Sequence, residues 1–263
     1  MKKLDLIMKK KKIAVINGGT GRIGGIFLKE LLKLNYKIFV LSKSKSKFTF
    51  VKNQFSTKNK NNLNWINFDL HSQKSIESCI KKLNKENQKI DCLINCAASS
   101  FRGKFFKYNF KNLNSELMGV FGSIFYLTEK ILPLLRNNKS GKIINVGSLW
   151  GLNAANFDTY LDLDIGPSAI TSSGKAALMQ YTKFLSSREA AYNITINNLV
   201  PGWFPRKGKV ERLDYIKSIN SKIPLKRIGK LNDLKSSIKY LLSNDTRYLT
   251  GQNIIIDGGY SII

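Results

Sequence analysis

The chain has 263 residues, enough for one large α/β domain with a sizeable buried core, and its 43% hydrophobic and 11% aromatic content excludes a disordered polypeptide. Three cysteines without paired spacing (Cys79, Cys92 and Cys96) exclude a disulfide framework and point to a reducing, cytoplasmic setting. Lys and Arg outnumber Asp and Glu by 44 to 17, a net charge of +27, yet the lysines run from end to end among many Asn and Ile residues, as codons of an A- and T-rich genome produce. A specific nucleic-acid site would gather its cations locally, so what remains is a general attraction to polyanions and acidic substrates.

Residues 1–11 form a basic extension with no apolar stretch of signal-peptide length behind it, and 12–263 read as a single domain. Ile13–Asn17 has the pattern of a buried strand that ends in a glycine-rich turn, and Ile23–Leu34 that of an amphipathic helix. Lys37–Leu41 is a second strand; a polar, lysine-rich stretch holding a helix leads to a third at Asn64–Phe68. Ser75–Asn84 has helical spacing, Cys92–Asn95 is a fourth strand, and a long helix covers roughly Leu113–Leu135. The strand Lys142–Val146, a helix from Ser173 to Ala191, the strand Thr195–Val200, a helix near Leu231–Leu242 and a last strand at Asn253–Ile256 complete the pattern. Strands alternating with helices predict right-handed crossovers and a doubly wound parallel sheet covered on both faces. The purely apolar runs are short, so no membrane insertion is expected.

Ligands of such sheets sit beyond the carboxyl ends of the strands. The first of these ends reads Asn17-Gly18-Gly19-Thr20-Gly21-Arg22-Ile23-Gly24, in which Gly19, Gly21 and Gly24 fit the three-glycine dinucleotide fingerprint. The turn brings backbone close to a pyrophosphate and presents the positive end of a helix to it. After the second strand, Ser42-Lys43-Ser44-Lys45 carries no carboxylate to grip an unmodified ribose. Hydroxyl and lysine there, with Arg22, suit a 2′-phosphate and favour NADP(H) over NAD(H). Asp69 and Leu70 follow the third strand, where Asp69 either contacts the adenine edge or caps the next helix. His71, the one histidine, has no cluster of acids or cysteines around it, so no metal site is expected.

From about Lys12 to Ile263 the chain resembles the short-chain dehydrogenase/reductases. The resemblance rests on the glycine turn, Asp69, Asn95-Cys96-Ala97-Ala98, Val146-Gly147-Ser148, Lys175, Asn197 to Pro201-Gly202, and Thr250-Gly251-Gln252 running into Asp257-Gly258-Gly259. It implies a Rossmann-type sheet, a nicotinamide cofactor, a small-molecule carbonyl or secondary alcohol as substrate, and a homodimer or homotetramer. Ser148 then corresponds to the serine that holds the substrate oxygen. Lys175 corresponds to the lysine that binds the nicotinamide ribose and lowers the pKa of a proton-carrying tyrosine.

That tyrosine is expected four residues before the lysine, on the same helix face, and Thr171 stands there. A phenol has a pKa of about 10 that an active site can tune; an aliphatic hydroxyl is a far poorer acid. The family's supporting asparagine has no counterpart either, since the stretch from Glu116 to Phe121 contains none. Tyr126 lies four residues before Lys130 but precedes Ser148, and reads as packing. The stretch between Ser148 and Lys175 is longer than usual. It offers Tyr160 as a replacement phenol and Asp158, Asp162 or Asp164 as a base, or else is an ordinary surface insertion. A loop of this kind resembles that of members linked to surface-sugar biosynthesis, which implies a sugar substrate. Cys96 either approaches the cofactor or fills space, and Trp150, Trp203 and Phe204 either wall a substrate cleft or pack within the loops.

Overall fold

The computed structural model describes residues 11–86, 89–98, 109–160, 168–204 and 213–263. Seven parallel strands form one sheet in the order β3-β2-β1-β4-β5-β6-β7. They are β1 (Ile13–Asn17), β2 (Lys37–Ser42), β3 (Leu63–Asn67), β4 (Cys92–Asn95), β5 (Gly141–Val146), β6 (Ile194–Pro201) and β7 (Asn253–Ile256). Strand order reverses between β1 and β4, which opens a crevice at their carboxyl ends.

Alternation along each strand splits the core into two apolar layers. Ala14 and Ile16 of β1 face α1 (Arg22–Lys33), α2 (Lys45–Asn53) and α9 (Lys235–Leu242), packing with Phe27, Phe48 and Ile238. Val15 faces the other way, into a layer with Ile76, Ile124 and Leu178. That layer is roofed by α4 (Gln73–Glu86), α6 (Ser123–Arg136) and α7 (Ala169–Glu189). Helices on both faces of a parallel sheet make this a Rossmann-type α/β domain.

Several elements differ from the sequence expectation. The lysine-rich stretch after β2 is two short helices, α2 and α3 (Thr57–Lys60). The expected helix at 113–135 runs from Phe110 to Arg136, as α5 (Phe110–Leu117), a π-helical turn (Met118–Gly122) and α6. Met118–Gly122 contains two glycines, and a Cβ on Gly122 would lie 2.5 Å from Met118 Sδ. By length and composition this helix is apolar enough to cross a membrane, but half of its apolar stretch is buried within the fold. Helix α7 begins at Ala169 rather than Ser173, because the Ser168 hydroxyl accepts from the Thr171 N–H and caps it. The expected helix at 231–242 opens as a 3₁₀ turn, Leu231–Leu234, and α8 (Leu213–Lys222) has no counterpart in the sequence reading.

A polar belt crosses the α6/α7 layer from the carboxyl ends of β1 and β4 to the start of β7. Asn17, Asn95, Asn145, Asn198 and Asn253 are register partners on successive strands. Asn17 donates to Asn95 at 2.6 Å, Asn95 to Asn145 at 2.8 Å, and Asn198 to Asn253 at 2.8 Å. Thr182 of α7 bridges Asn145 to Asn198, and Thr128 of α6 accepts a second bond from Asn95. The other Asn17 atom, Oδ1, accepts from the backbone N–H groups of Cys96 and Ala97. The belt therefore fixes the turn after β4 against the end of β1.

Candidate active site

The glycine turn is shaped by close approach. Gly18 has φ of +72°, and a Cβ on it would lie 2.5 Å from the Ala97 nitrogen, so β1 and the segment after β4 meet backbone to backbone. A Cβ on Gly24 would lie 2.1 Å from the Gly18 carbonyl oxygen, which seats α1 directly on the turn. Gly21 caps α1 without a side-chain hydrogen bond, and no acidic residue stands in its first turn. Gly19, Thr20, Ile23 and the α1 N-terminus thus form a small-residue cradle open to an anion, which a dinucleotide pyrophosphate fits.

At the end of β2 the expected lone cation has a partner. Lys43 Nζ lies 2.6 Å from Asp69 Oδ2, and the ammonium holds the Asp69 carboxyl below its usual range. The segment after β2 has no acid of its own, but the fold delivers one from the end of β3. The second oxygen of Asp69 accepts from the His71 N–H. The cap of α4 is Ser72, whose hydroxyl accepts from Ser75 N–H, so Asp69 is not that cap. Ser42 Oγ accepts from the Trp65 indole N–H at 3.1 Å, and the Leu70 carbonyl accepts from Ser123 of α6. Across the crevice, Arg22 donates to the Phe204 carbonyl at 3.0 Å. This ties the glycine turn to the segment after Pro201-Gly202, and Gly202 N–H in turn bonds Ile256.

Beyond β5 the expected catalytic residues converge. Ser148 Oγ accepts from the Trp150 N–H at 3.3 Å, which leaves the hydroxyl proton for a ligand oxygen. The 3₁₀ turn that follows, Leu149–Gly151, lies on α7: a Cβ on Gly151 would be 2.8 Å from the Lys175 carbonyl carbon. Lys175 is 6% exposed and its Nζ donates to the Val146 carbonyl at 2.6 Å. Burial pushes its pKa down to about 8. Burial in turn pushes the Cys96 thiol up to about 12, so it remains neutral. One helical turn before Lys175, the Thr171 hydroxyl donates to a carboxyl oxygen of Glu116 on α5.

The remaining candidates fall elsewhere. Tyr160 is buried in an aromatic cluster with Trp150, Trp203, Tyr215 and Phe157, and burial raises its phenol above the ordinary value, the wrong direction for a proton carrier. Asp158 is exposed, and Asp162 and Asp164 lie outside the described residues. Tyr126 packs against the α4 layer with its hydroxyl on Glu77, away from Ser148. Trp150 and Trp203 meet edge to face at 5.4 Å, while the Phe204 ring fills the space that a Cβ on Gly229 would need. Sequence reasoning noted Glu116 only for not being asparagine. Its single signal was a carboxylate on the helix that packs against α7.

The architecture and the crevice define a dinucleotide-binding type of α/β domain. A family model described as enoyl-(acyl carrier protein) reductase matches residues 30–261. The chain is 29% identical over 253 residues to a 3-oxoacyl-[acyl-carrier-protein] reductase of Buchnera aphidicola, covering 95% of this chain and 97% of the relative. It is 25% identical over 257 residues to an acetoacetyl-CoA reductase of Acinetobacter, covering 96% and 98%. Among solved structures, a short chain dehydrogenase from Leptospira borgpetersenii with bound NAD+ superposes with a TM-score of 0.82 at 28% identity, covering 96% of this chain and 93% of that one. The chain belongs to the short-chain dehydrogenase/reductase family.

Proposed function

We propose that the protein is a nicotinamide-dependent oxidoreductase that interconverts a carbonyl and a secondary alcohol. The observation that carries this reading is the convergence of Ser148 and Lys175 at the end of β5, with Thr171 one turn away in the place of the family's phenol. The bound nicotinamide would accept or donate the hydride. Gly18, Gly19, Thr20, Gly21, Arg22, Ile23 and Gly24 would hold its pyrophosphate, and Asn95, Ala97, Pro201 and Gly202 would border the nicotinamide half. Ser148 donates its free proton to the substrate oxygen, and Lys175 binds the nicotinamide ribose.

We favour NADP(H) over NAD(H) on account of Ser42, Lys43 and Arg22. The Lys43 side chain is 77% exposed and free to turn from Asp69 to a phosphate, and exchanging one anion for another leaves it paired throughout. The Leptospira structure holds NAD+, so a phosphate preference rests on this chain's own residues. For substrate, the two curated relatives are named for 3-oxoacyl and acetoacetyl thioesters. A net charge of +27 suits an anionic carrier or coenzyme A. Acyl thioesters are therefore the first class to assay, and nucleotide-activated sugars the second. Phe110, Phe125 and Phe184 stand exposed on α5, α6 and α7, which supports assembly as a homodimer or homotetramer.

The test is turnover of 3-oxoacyl thioesters followed by nicotinamide absorbance. Oxidation of NADPH in step with substrate supports the reading; no turnover with either substrate class, despite dinucleotide binding, contradicts it. A second reading, a nicotinamide-binding partner subunit without activity, is favoured by the missing phenol at Thr171. Activity that appears only in Thr171→Tyr would select it.

A further inference from the structure

Glu116 is the unexplained group in this site. It is 3% exposed, one carboxyl oxygen accepts the Thr171 proton, and the other, Oε2, is buried without a hydrogen-bond partner. A carboxylate in that position loses its water without full repayment, a cost that proteins retain where the group does chemistry. Two features bring it there. The π-helical turn Met118–Gly122 begins two residues after Glu116, and such turns re-aim the residues beside them at functional sites. Gly174 of α7 lets Val120 of that turn approach to where a Cβ would be 2.9 Å away, drawing α5 onto α7 at the level of Thr171.

We propose that Thr171 and Glu116 form a two-residue proton relay that does the work of the missing phenol; this rests on the oxidoreductase reading above. In the alcohol-oxidising direction, an oxidised nicotinamide held at the glycine turn would supply the hydride acceptor for the breaking substrate C–H bond. The substrate O–H proton moves to Thr171 Oγ1, and the Thr171 proton moves along the existing hydrogen bond to Glu116 Oε1. The alcohol becomes a carbonyl, the carboxylate becomes a carboxylic acid, and threonine ends as it began. Reduction runs the same path backwards, with the Glu116 proton delivered through Thr171 to the substrate oxygen. Because threonine gains one proton as it gives up another, its poor acidity does not limit the step, and the carboxyl is where the proton ends. Buried Oε2 cannot meet a substrate itself, whereas half-buried Thr171 lies on the Lys175 face of α7. On the elements packed against α5, Lys175 is the charged group one turn from the pair. The π-helical turn carries none, and the His71 ring meets the neighbouring Ser115.

The experiment compares the wild type with Glu116→Gln, Thr171→Val and Thr171→Ser in the full-length protein. The readouts are kcat against pH, dinucleotide affinity by fluorescence, and the Glu116 resonance in protein carrying ¹³C-carboxyl glutamate. The relay predicts that Glu116→Gln and Thr171→Val each lower kcat about a hundredfold or more. Together they should cost little more than either alone, because both break one path. Dinucleotide affinity stays within about twofold, Thr171→Ser keeps most of the rate, and the acidic limb of the oxidation profile disappears in Glu116→Gln. In the protein without dinucleotide, the Glu116 carboxyl resonance should move in Thr171→Val, which removes its hydrogen bond, and hold in Thr171→Ser. A Glu116→Gln enzyme that keeps both rate and pH profile overturns the relay while leaving the oxidoreductase intact. A wild type that binds dinucleotide but never turns over strikes the oxidoreductase reading instead.

Discussion

Two polar regions lie within this domain, and they are built on opposite rules. Across the sheet, the asparagine belt is buried from Asn17 to Asn198 and ends at half-buried Asn253, and each side chain finds partners on the neighbouring strand or helix. At the α5–α7 corner, Glu116 is just as buried but keeps one oxygen unpartnered. A satisfied network rigidifies, since every alternative arrangement leaves a bond unmade. An unsatisfied carboxyl stabilises nothing by itself, and it sits where a proton has to travel. The belt is a platform and the corner is a working part.

Mutations should separate the two regions by what they damage. The largest effect belongs to Ser148→Ala, which removes the proposed donor to the substrate oxygen and should lower kcat by about 10²–10³-fold, while the lost cap on the Trp150 N–H costs only about 1 kcal/mol of stability. Retained turnover would remove Ser148 from the chemistry. In the belt, Asn95→Ala orphans the Asn17 amide and the Asn145 and Thr128 oxygens at once. It should cost about 3 kcal/mol of stability by denaturant unfolding; a loss below about 1 kcal/mol would mean that the belt is not a platform.

Lys175 joins the regions and has a pH signature. Its folded pKa is about 8, below the ordinary 10.5, so the unfolded chain holds the proton more tightly between these values. Stability therefore rises with pH through that window, and relative to Lys175→Met the wild type should gain about 2 kcal/mol between pH 8 and 10. A flat difference would mean that the ammonium is well solvated. The smallest effect is expected at the crevice mouth, where Lys43→Ala should weaken NADPH about tenfold and NADH hardly at all. Equal losses for both dinucleotides would remove the phosphate preference.

Much of the fold was legible because it is written locally. Ile13–Asn17 followed by a glycine turn and an amphipathic helix names a βα unit, and the later strands repeat that rhythm. Ser148 and Lys175 were found by the family resemblance of their segments, and Thr171 by its place four residues before Lys175. What escaped was long-range pairing. Glu116 and Thr171 are 55 residues apart and meet only because α5 packs on α7. Lys43 looked unopposed because Asp69 arrives from the next strand. Asn17 and Asn95 were visible at strand ends, but the belt's mutual bonds depend on sheet register, which no single strand reveals. The start of α7 was misplaced because Ala169–Ser172 lacks apolar periodicity and is set by the Ser168 cap.

The central claim is that this crevice holds a nicotinamide dinucleotide for hydride transfer, and a fluorescence titration of the purified protein with NADPH, and in parallel with NADH, tests it most directly. Saturable binding of both, tighter for NADPH and unchanged in Glu116→Gln, is the predicted result. Binding of neither would contradict it, and the reading of Ser148, Thr171 and Lys175 as a hydride-transfer site would fall with it.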